Sequence, residues 1–200
     1  PHTLARDPDF AIKTALTEAL GGAAIRPWAI HTVGKDGRAV IVGYSEQQPD
    51  SLEQARKLAM PSLQSAVETI QGFPLPELQQ GQRLAFSVRL CPTVNSTRRG
   101  ETDAFLLAVD EAATKSPERE NVYAEYFRER AVGAYIEACR LDGWQLLKMA
   151  RKSTKAPSGA AQRTYPEVRL LGVLKVTDPG ALQTTLMRGI GRQRAFGFGM

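Results

Sequence analysis

The residues with the clearest chemical potential lie at positions 188–200. This segment, RGIGRQRAFGFGM, alternates four glycines with three arginines and two phenylalanines. Glycines let a backbone approach a phosphate chain closely and offer it N–H groups, whereas the guanidinium fork of arginine binds two phosphate oxygens at once. We therefore predict a loop that binds a phosphate-rich ligand.

Two familiar phosphate-binding motifs do not account for this loop. No Gly-Lys-Ser/Thr follows the glycines, so the segment is not a P-loop. The glycines follow a predicted helix and precede a predicted strand, which is the reverse of the order in a dinucleotide-binding fold. Two interpretations remain, namely a nucleic-acid contact and a glycine-rich turn that leads into an edge strand.

The charge distribution favours the nucleic-acid interpretation. The chain has a formal net charge of +5, but residues 140–200 contain eleven basic and three acidic side chains, against fifteen and eighteen in the first 139. Lysine and arginine displace the counterions that condense on phosphates. The basic C-terminal third therefore predicts a surface that binds polyanions, with a merely solvated basic surface as the alternative.

The composition excludes several classes of protein. With 42% hydrophobic and 24% charged residues, the chain has a globular composition. We find no apolar run of about 20 residues that could span a membrane and no signal peptide, so we expect no membrane partner. Cys91 and Cys139 are isolated, which is typical of reduced thiols in a cytoplasmic protein. Because His2 and His31 are the only histidines, we expect neither a metal centre nor a cofactor.

The elements that must position the loop begin with a β-α-β-β-α-β order. Apolar periodicity, capping residues and turn signals predict these elements, which are a strand at His2–Ala5, a helix over Pro8–Leu20 capped by Asp7, a hairpin of Trp28–Val33 and Ala39–Tyr44, a helix over Ser51–Ile70 divided at Pro61, and a strand at Leu84–Leu90. This order is typical of a ferredoxin-like domain.

The second half of the chain repeats that order if the segment Leu84–Val94 opens it. We predict a long helix at Glu118–Leu141, strands at Trp144–Ala150 and Val168–Val176 around a basic tip at Arg151–Arg163, a helix from Asp178 to Met187, and a last strand after the glycine loop. The predicted fold is α+β, with two tandem ferredoxin-like (RRM-like) domains at 1–81 and 82–200. The second domain carries a basic helical segment at 118–155 and the glycine-rich loop at 188–199.

The glycine–arginine loop resembles that of a known family. Together with the preceding LGVLKVTDP at 171–179, it closely resembles the C-terminal segment of the CRISPR repeat-processing endoribonucleases, above all the CasE branch of type I-E systems and its type IV counterparts. The resemblance is strongest over 168–200 and extends to 82–94. It implies two ferredoxin-like domains, cleavage of precursor CRISPR RNA at the base of the repeat hairpin, and retention of the product beside other Cas subunits of an effector complex.

The reaction that the resemblance implies needs no metal ion. The ribose 2′-OH attacks the adjacent phosphate and leaves a 2′,3′-cyclic phosphate and a 5′-OH. Such a reaction uses a base, an acid at the leaving oxygen, and cations on the phosphorane. The CasE branch places a catalytic histidine about seven residues before the first helix ends, and this position holds Lys13 here. An ammonium group is a poor base, but it can stabilise the phosphorane or protonate the leaving oxygen.

Two further residues complete the candidate catalytic set. Arg26 precedes the second predicted strand and could supply a cation, and His31 lies within that strand as the rival to Lys13. Double-stranded RNA offers proteins its shape and its phosphates, so cations and loop glycines are the expected contacts. The candidates for RNA binding are Arg128, Arg151, Lys152 and Lys155 for the stem, and Arg188, Gly189, Gly191, Arg192, Arg194 and Gly197 in the loop.

Two other functions remain open at this point. A protein of the same fold could bind the repeat hairpin without cleaving it, and the lysine at the expected histidine position keeps this alternative open. A scaffold protein of a CRISPR complex, without a nuclease role, would bind RNA without a preference for hairpins.

Overall fold

The chain has a mixed α/β fold. The structure is a computed structural model that describes residues 7–22, 25–112, 116–152 and 160–200, so the predicted strand His2–Ala5 lies outside the described residues. The helices are α1 Pro8–Leu20, α2 Pro49–Leu58, α3 Pro61–Ala66, α4 Ala104–Glu111, α5 Arg119–Arg128 and α6 Pro179–Arg188. The strands are β1 Trp28–Val33, β2 Ala39–Gly43, β3 Arg83–Leu90, β4 Thr93–Ser96, β5 Gly100–Asp103, β6 Ala134–Lys152 and β7 Ala160–Val176.

The first half of the chain follows its local sequence signals. The carboxylate of Asp7 caps α1 by accepting a hydrogen bond from the amide of Phe10. Strands β1 and β2 form the predicted antiparallel hairpin. The predicted second helix is divided into α2 and α3 before Pro61, because proline cannot donate the backbone hydrogen bond that a continuous helix needs. Leu20 of α1 and Leu52 of α2 join these helices in a small core.

The second half of the chain contains a three-stranded antiparallel sheet in the order β3-β7-β6. Strand β3 pairs with β7 only over residues 168–175, whereas β6 pairs with β7 along its whole length. The outer part of the β6–β7 hairpin is therefore two-stranded. Buried side chains from α5, α6 and the three strands form the main core, which includes Tyr123, Phe127, Leu170 and Leu182.

The glycine-rich tail, residues 188–200, ends beside β3. The amide of Gly199 donates to the carbonyl oxygen of Arg89 at 2.7 Å, and the amide of Arg89 donates to the carbonyl oxygen of Met200 at 3.3 Å. A 3-10 turn at Arg194–Phe196 precedes this pairing. The predicted last strand is therefore present only as these two hydrogen bonds, which align the tail with the free edge of β3.

The predicted helix Glu118–Leu141, and with it the helical segment 118–155, is wrong. Helix α5 ends at Arg128, and β6 begins at Ala134. Between them Gly133 has a φ of 86°, and a Cβ atom there would overlap the backbone nitrogen of Leu182. This left-handed glycine packs directly against α6 in the turn that connects α5 to β6. The alanines in this region match a helical spacing, which concealed the alternation of the strand.

A stacked arginine joins α5 to the β6–β7 hairpin. The Arg119 guanidinium lies 3.8 Å from the ring centroid of Phe105 and 3.8 Å from that of Trp144 in β6. It also donates to the hydroxyl of Tyr123, which in turn donates to the buried carboxylate of Asp103. Burial raises the pKa of Asp103 above its usual range, although hydrogen bonds and the nearby Arg119 oppose that shift.

A partly buried ion cluster connects the two halves of the chain. Arg89 of β3 donates to Asp9 of α1 at 2.7 Å and to Glu167 of β7 at 2.9 Å. Its guanidinium also lies 4.2 Å from the ring centroid of Phe198 in the tail. Burial alone would lower the pKa of Arg89, but the two carboxylates raise it overall, so this side chain is charged. One cation therefore holds the first helix, the sheet and the tail together.

We predict that Arg89→Met lowers the free energy of unfolding by about 3–5 kcal/mol, because it leaves two carboxylates close together and unpaired. The side chain of Asp9 is only 7% exposed and that of Arg89 is 21% exposed. Arg83→Met is a matched control on the same strand. The Arg83 side chain is 69% exposed where it pairs with Glu137, so we expect the free energy of unfolding to fall by less than about 1 kcal/mol. Equal losses in urea denaturation would contradict this role of Arg89.

Candidate functional site

The first half of the chain and the glycine-rich tail meet at a small cleft. Its volume is about 10 Å³, which leaves room for one water molecule, so a larger ligand would lie over the cleft. Two of the three predicted catalytic residues, Lys13 and Arg26, line this cleft. The complete lining consists of Lys13, Leu16, Thr17, Gly21, Gly22, Ile25, Arg26, Trp28 and Ala195.

Lys13 is held between aromatic rings. Its Nζ atom lies 5.7 Å from the ring centroid of Phe10 on the same helix and 5.7 Å from that of Phe196 in the tail. Both distances fall within the range over which an aromatic ring attracts a cation. The half-buried lysine thus connects α1 to the tail and keeps its ammonium group at the cleft.

Trp28 locks the tail against the β1–β2 hairpin. This side chain is buried, and its indole Nε1 donates a hydrogen bond of 3.2 Å to the carbonyl oxygen of Ala195. Arg26, two residues before it, is exposed at the rim of the cleft. The backbone amide of Arg26 donates to the carbonyl oxygen of Tyr44, and burial raises the pKa of the Tyr44 phenol. Trp28 is the structural residue of this cleft that sequence reasoning missed, because its partner lies 167 positions away.

The third predicted catalytic residue does not join the other two. His31 lies where the pairing of β1 with β2 is irregular, between Ile30 and Thr32, and its side chain is exposed. It does not line the cleft that contains Lys13 and Arg26. His2 lies outside the described residues.

The tail glycines bring the loop against the wall of the cleft. Gly189 and Gly197 have φ angles of 73° and 76°. A Cβ atom on Gly189 would lie 2.8 Å from the ring of Pro27, and one on Gly197 would lie 2.8 Å from the ring of Trp28. At these two positions the close approach that glycine permits is toward protein side chains. Their predicted contact with RNA stays a prediction.

Arg192 and Arg194 of the loop line a second, wider groove. This groove has a volume of about 540 Å³. The guanidinium of Arg192 lies 3.4 Å from a carboxylate oxygen of Glu101, and Arg194 donates to the carbonyl oxygen of Arg188. Arg188 itself is exposed. The lining consists of Thr93, Val94, Asn95, Tyr126, Glu129, Arg130, Val132, Gly189, Ile190, Gly191, Arg192 and Arg194.

The described candidates for stem contacts lie at the end of α5 and at the end of β6. Arg128 is exposed at the end of α5, where it pairs with Glu125 at 3.4 Å. Arg151 and Lys152 are the last residues of β6. A strand rises about 3.3 Å per residue, so the 19 residues of β6 span about 60 Å. Lys155 lies outside the described residues. The described members of this set therefore do not form one cluster.

Over 7–22, 25–112, 116–152 and 160–200, no group of three or more His, Cys, Asp or Glu side chains is placed to hold a metal ion. Over the same ranges, no helix combines the length and apolar character of a membrane span.

Comparison with known families gives a match over most of the chain. The family model described as CRISPR associated protein matches residues 15–200. A comparison with curated protein sequences finds no match.

Comparison with solved structures identifies the same fold in several proteins. A CRISPR endoribonuclease Cse3 bound to a 19-nucleotide RNA has a TM-score of 0.64 at 20% identity, covering 100% of this chain and 90% of the other. The CRISPR-associated protein Cas6e from Escherichia coli K-12 has a TM-score of 0.55 at 14% identity, covering 99% and 92%. A chain of a CRISPR RNA-guided surveillance complex has a TM-score of 0.51 at 17% identity, covering 88% and 77%.

We predict that Gly197→Ala lowers the free energy of unfolding by about 2–4 kcal/mol, through a strained left-handed backbone and overpacking against Trp28. Gly81→Ala is the matched control, since Gly81 also has a positive φ of 85° but no atom lies within 4 Å of its would-be Cβ. We expect it to cost about 1 kcal/mol, from the backbone alone. If both variants lose the same stability in urea denaturation, Gly197 is not in tight contact with the cleft wall.

Proposed function

The chain belongs to the family of CRISPR associated proteins, and we propose that it is an endoribonuclease that processes CRISPR RNA. In this proposal it cleaves precursor CRISPR RNA at the base of the repeat hairpin and stays bound to the product hairpin as a subunit of an effector complex. The observation that carries the proposal is the convergence of Lys13 and Arg26 with the glycine-rich tail at one cleft. The RNA-bound endoribonuclease and the surveillance complex that share this fold support it.

We propose that the fold consists of two ferredoxin-like domains, at 1–81 and 82–200. Strand β3, helix α5, strands β6 and β7, helix α6 and the tail follow the β-α-β-β-α-β order, with β4, β5 and α4 inserted after β3. In the first half, α1, β1, β2 and α2 supply the four middle elements of the same motif. The cleft would then lie where the first domain meets the tail of the second.

The proposed reaction uses the cations of the cleft and no metal ion. The 2′-OH attacks the adjacent phosphate while water accepts its proton, and negative charge develops on the phosphorane oxygens. Arg26, exposed at the rim, stabilises this charge, because fixed cations are most effective where charge develops in the transition state. Lys13 gives a proton to the 5′-oxygen as that bond breaks. The products are a 2′,3′-cyclic phosphate and a 5′-OH.

A site without an imidazole base is expected to be slow. An enzyme that cuts each RNA once and keeps its product needs little turnover, so this slowness is compatible with the role. The same observation supports a second candidate function, a subunit that binds the repeat hairpin without cutting it. Lys13 stands where the resemblance places a histidine, and His31 does not line the cleft.

We predict single-turnover cleavage of a labelled repeat RNA in EDTA. Lys13→Ala and Arg26→Ala should each slow it by about 10²-fold, since each removes a charge that acts in the transition state. His31→Ala is the control outside the cleft and should keep the rate within about twofold. Tight hairpin binding without cleavage by the unaltered protein would favour the non-cleaving subunit. Unchanged rates in both cleft variants would contradict the proposed roles of Lys13 and Arg26.

A further prediction concerns the salt dependence of RNA binding. Each phosphate contact of a cation contributes about 0.7–0.9 to the slope of log K against log salt concentration. Arg194→Gln should therefore weaken hairpin binding and flatten the slope by roughly this amount. Arg38→Gln is the control, because Arg38 is exposed beside Asp36 and Glu68 and lines neither the cleft nor the groove. An unchanged slope for Arg194→Gln would exclude this arginine as a phosphate contact.

A further inference from the structure

Arg130 forms a rigid flat surface in the wider groove. Its guanidinium carbon lies 3.8 Å from the ring centroid of Tyr126. One terminal nitrogen donates to the carbonyl oxygen of Tyr126 at 2.9 Å and to the carboxylate of Glu129 at 2.8 Å. Tyr126 is buried, and its hydroxyl lies 3.5 Å from the carbonyl oxygen of Cys91 and 3.4 Å from that of Thr93, so its single proton can be donated to either one. The guanidinium plane is therefore held in place before any ligand binds.

The exposed part of this plane borders the groove. Tyr126 covers one face of the guanidinium, while the Arg130 side chain remains 34% exposed and lines the groove. Guanidinium planes and aromatic rings are the surfaces on which proteins stack unpaired RNA bases. The ion pair of Arg130 with Glu129 does not explain why the guanidinium lies on the Tyr126 ring. Exposed ion pairs contribute little to stability and can form in other geometries.

The remaining walls of the groove match the other parts of a nucleotide. Arg192 and Arg194 bring two cations. A guanidinium carries five N–H donors, and the contacts of Arg192 with Glu101 and of Arg194 with the carbonyl oxygen of Arg188 each use one nitrogen. Asn95 is exposed on the same lining and offers a donor and an acceptor to a base edge. The volume of about 540 Å³ lies within the range of small-ligand sites.

We propose that this groove binds one unpaired nucleotide of the RNA, with its base stacked on Arg130 and its phosphate held by Arg192 and Arg194. The inference rests on the proposed function, since the nucleotide adjoins the bound hairpin. Bases within an RNA stem are already stacked on each other, so only an unpaired base can occupy the groove. Arg194 lines the groove and the next residue, Ala195, lines the cleft, so in this proposal the RNA passes along the tail from the scissile phosphate to the unpaired nucleotide.

The test compares two RNAs and two variants of the full chain. One RNA is the repeat hairpin with unpaired nucleotides on both sides of the scissile bond, and the other is the blunt hairpin. A 2′-deoxy substitution at the scissile position blocks cleavage, and 2-aminopurine replaces each flanking base in turn. Arg130→Lys keeps the charge but removes the planar stacking surface. Arg83→Lys is the matched control, because Arg83 is an exposed arginine paired with a glutamate and does not line the groove.

We expect Arg130→Lys to weaken binding of the flanked RNA about tenfold, the scale of one lost stacking contact. It should leave the affinity for the blunt hairpin within about twofold, which also verifies that the variant is folded. One 2-aminopurine position should be quenched by the unaltered protein and not by Arg130→Lys. Arg83→Lys should keep the affinity for each RNA and the 2-aminopurine quenching as they are in the unaltered protein.

Three results would overturn the inference. These are equal affinity of the unaltered protein for both RNAs, equal loss for both RNAs in Arg130→Lys, and quenching that does not depend on Arg130. Each is distinct from failure of the proposed function, which would appear as no binding of the blunt hairpin by the unaltered protein.

Discussion

The ion cluster around Arg89 fixes the geometry on which the cleft depends. Asp9 and Lys13 lie one helical turn apart on α1, so the contact of Asp9 with Arg89 also sets the position of Lys13. The same guanidinium packs on Phe198, two residues after the phenylalanine that borders Lys13. A lysine and a glycine-rich tail that are far apart in the chain are thus aligned through one shared cation.

The glycine-rich tail has two distinct sides. On one side Gly197 and Ala195 contact Trp28, which closes the cleft. On the other side Arg192 and Arg194 line the wider groove. The glycines permit this arrangement because Cβ atoms at Gly189 and Gly197 would lie too close to Pro27 and Trp28.

Local signals in the sequence predicted those elements whose causes are local. The cap at Asp7, the division before Pro61 and the β1–β2 hairpin each depend on residues within a few positions. The turn between α5 and β6 could not be predicted in this way, because its Gly133 packs against Leu182 in another helix.

The candidate site also contains some residues that the sequence predicted and some contacts that it did not. The resemblance to a known family pointed to Lys13 by its position along the first helix, and the glycine–arginine pattern pointed to the tail. The pairing of Arg89 with Asp9 spans 80 positions, and no periodicity or motif reports a contact of that separation. The stacking of Arg130 on Tyr126 was equally hidden, since an arginine four residues after a tyrosine is common on helix surfaces.

The hydrogen bond from Trp28 to Ala195 makes the fluorescence of this tryptophan a reporter of the position of the tail. The protein has two tryptophans, and Trp144 lies on the hairpin against Arg119, away from this bond. The emission of a buried indole depends on its polar surroundings. Movement of the tail off the cleft would therefore change the fluorescence of Trp28 without any label, and the kinetics of loop docking are accessible in the natural sequence.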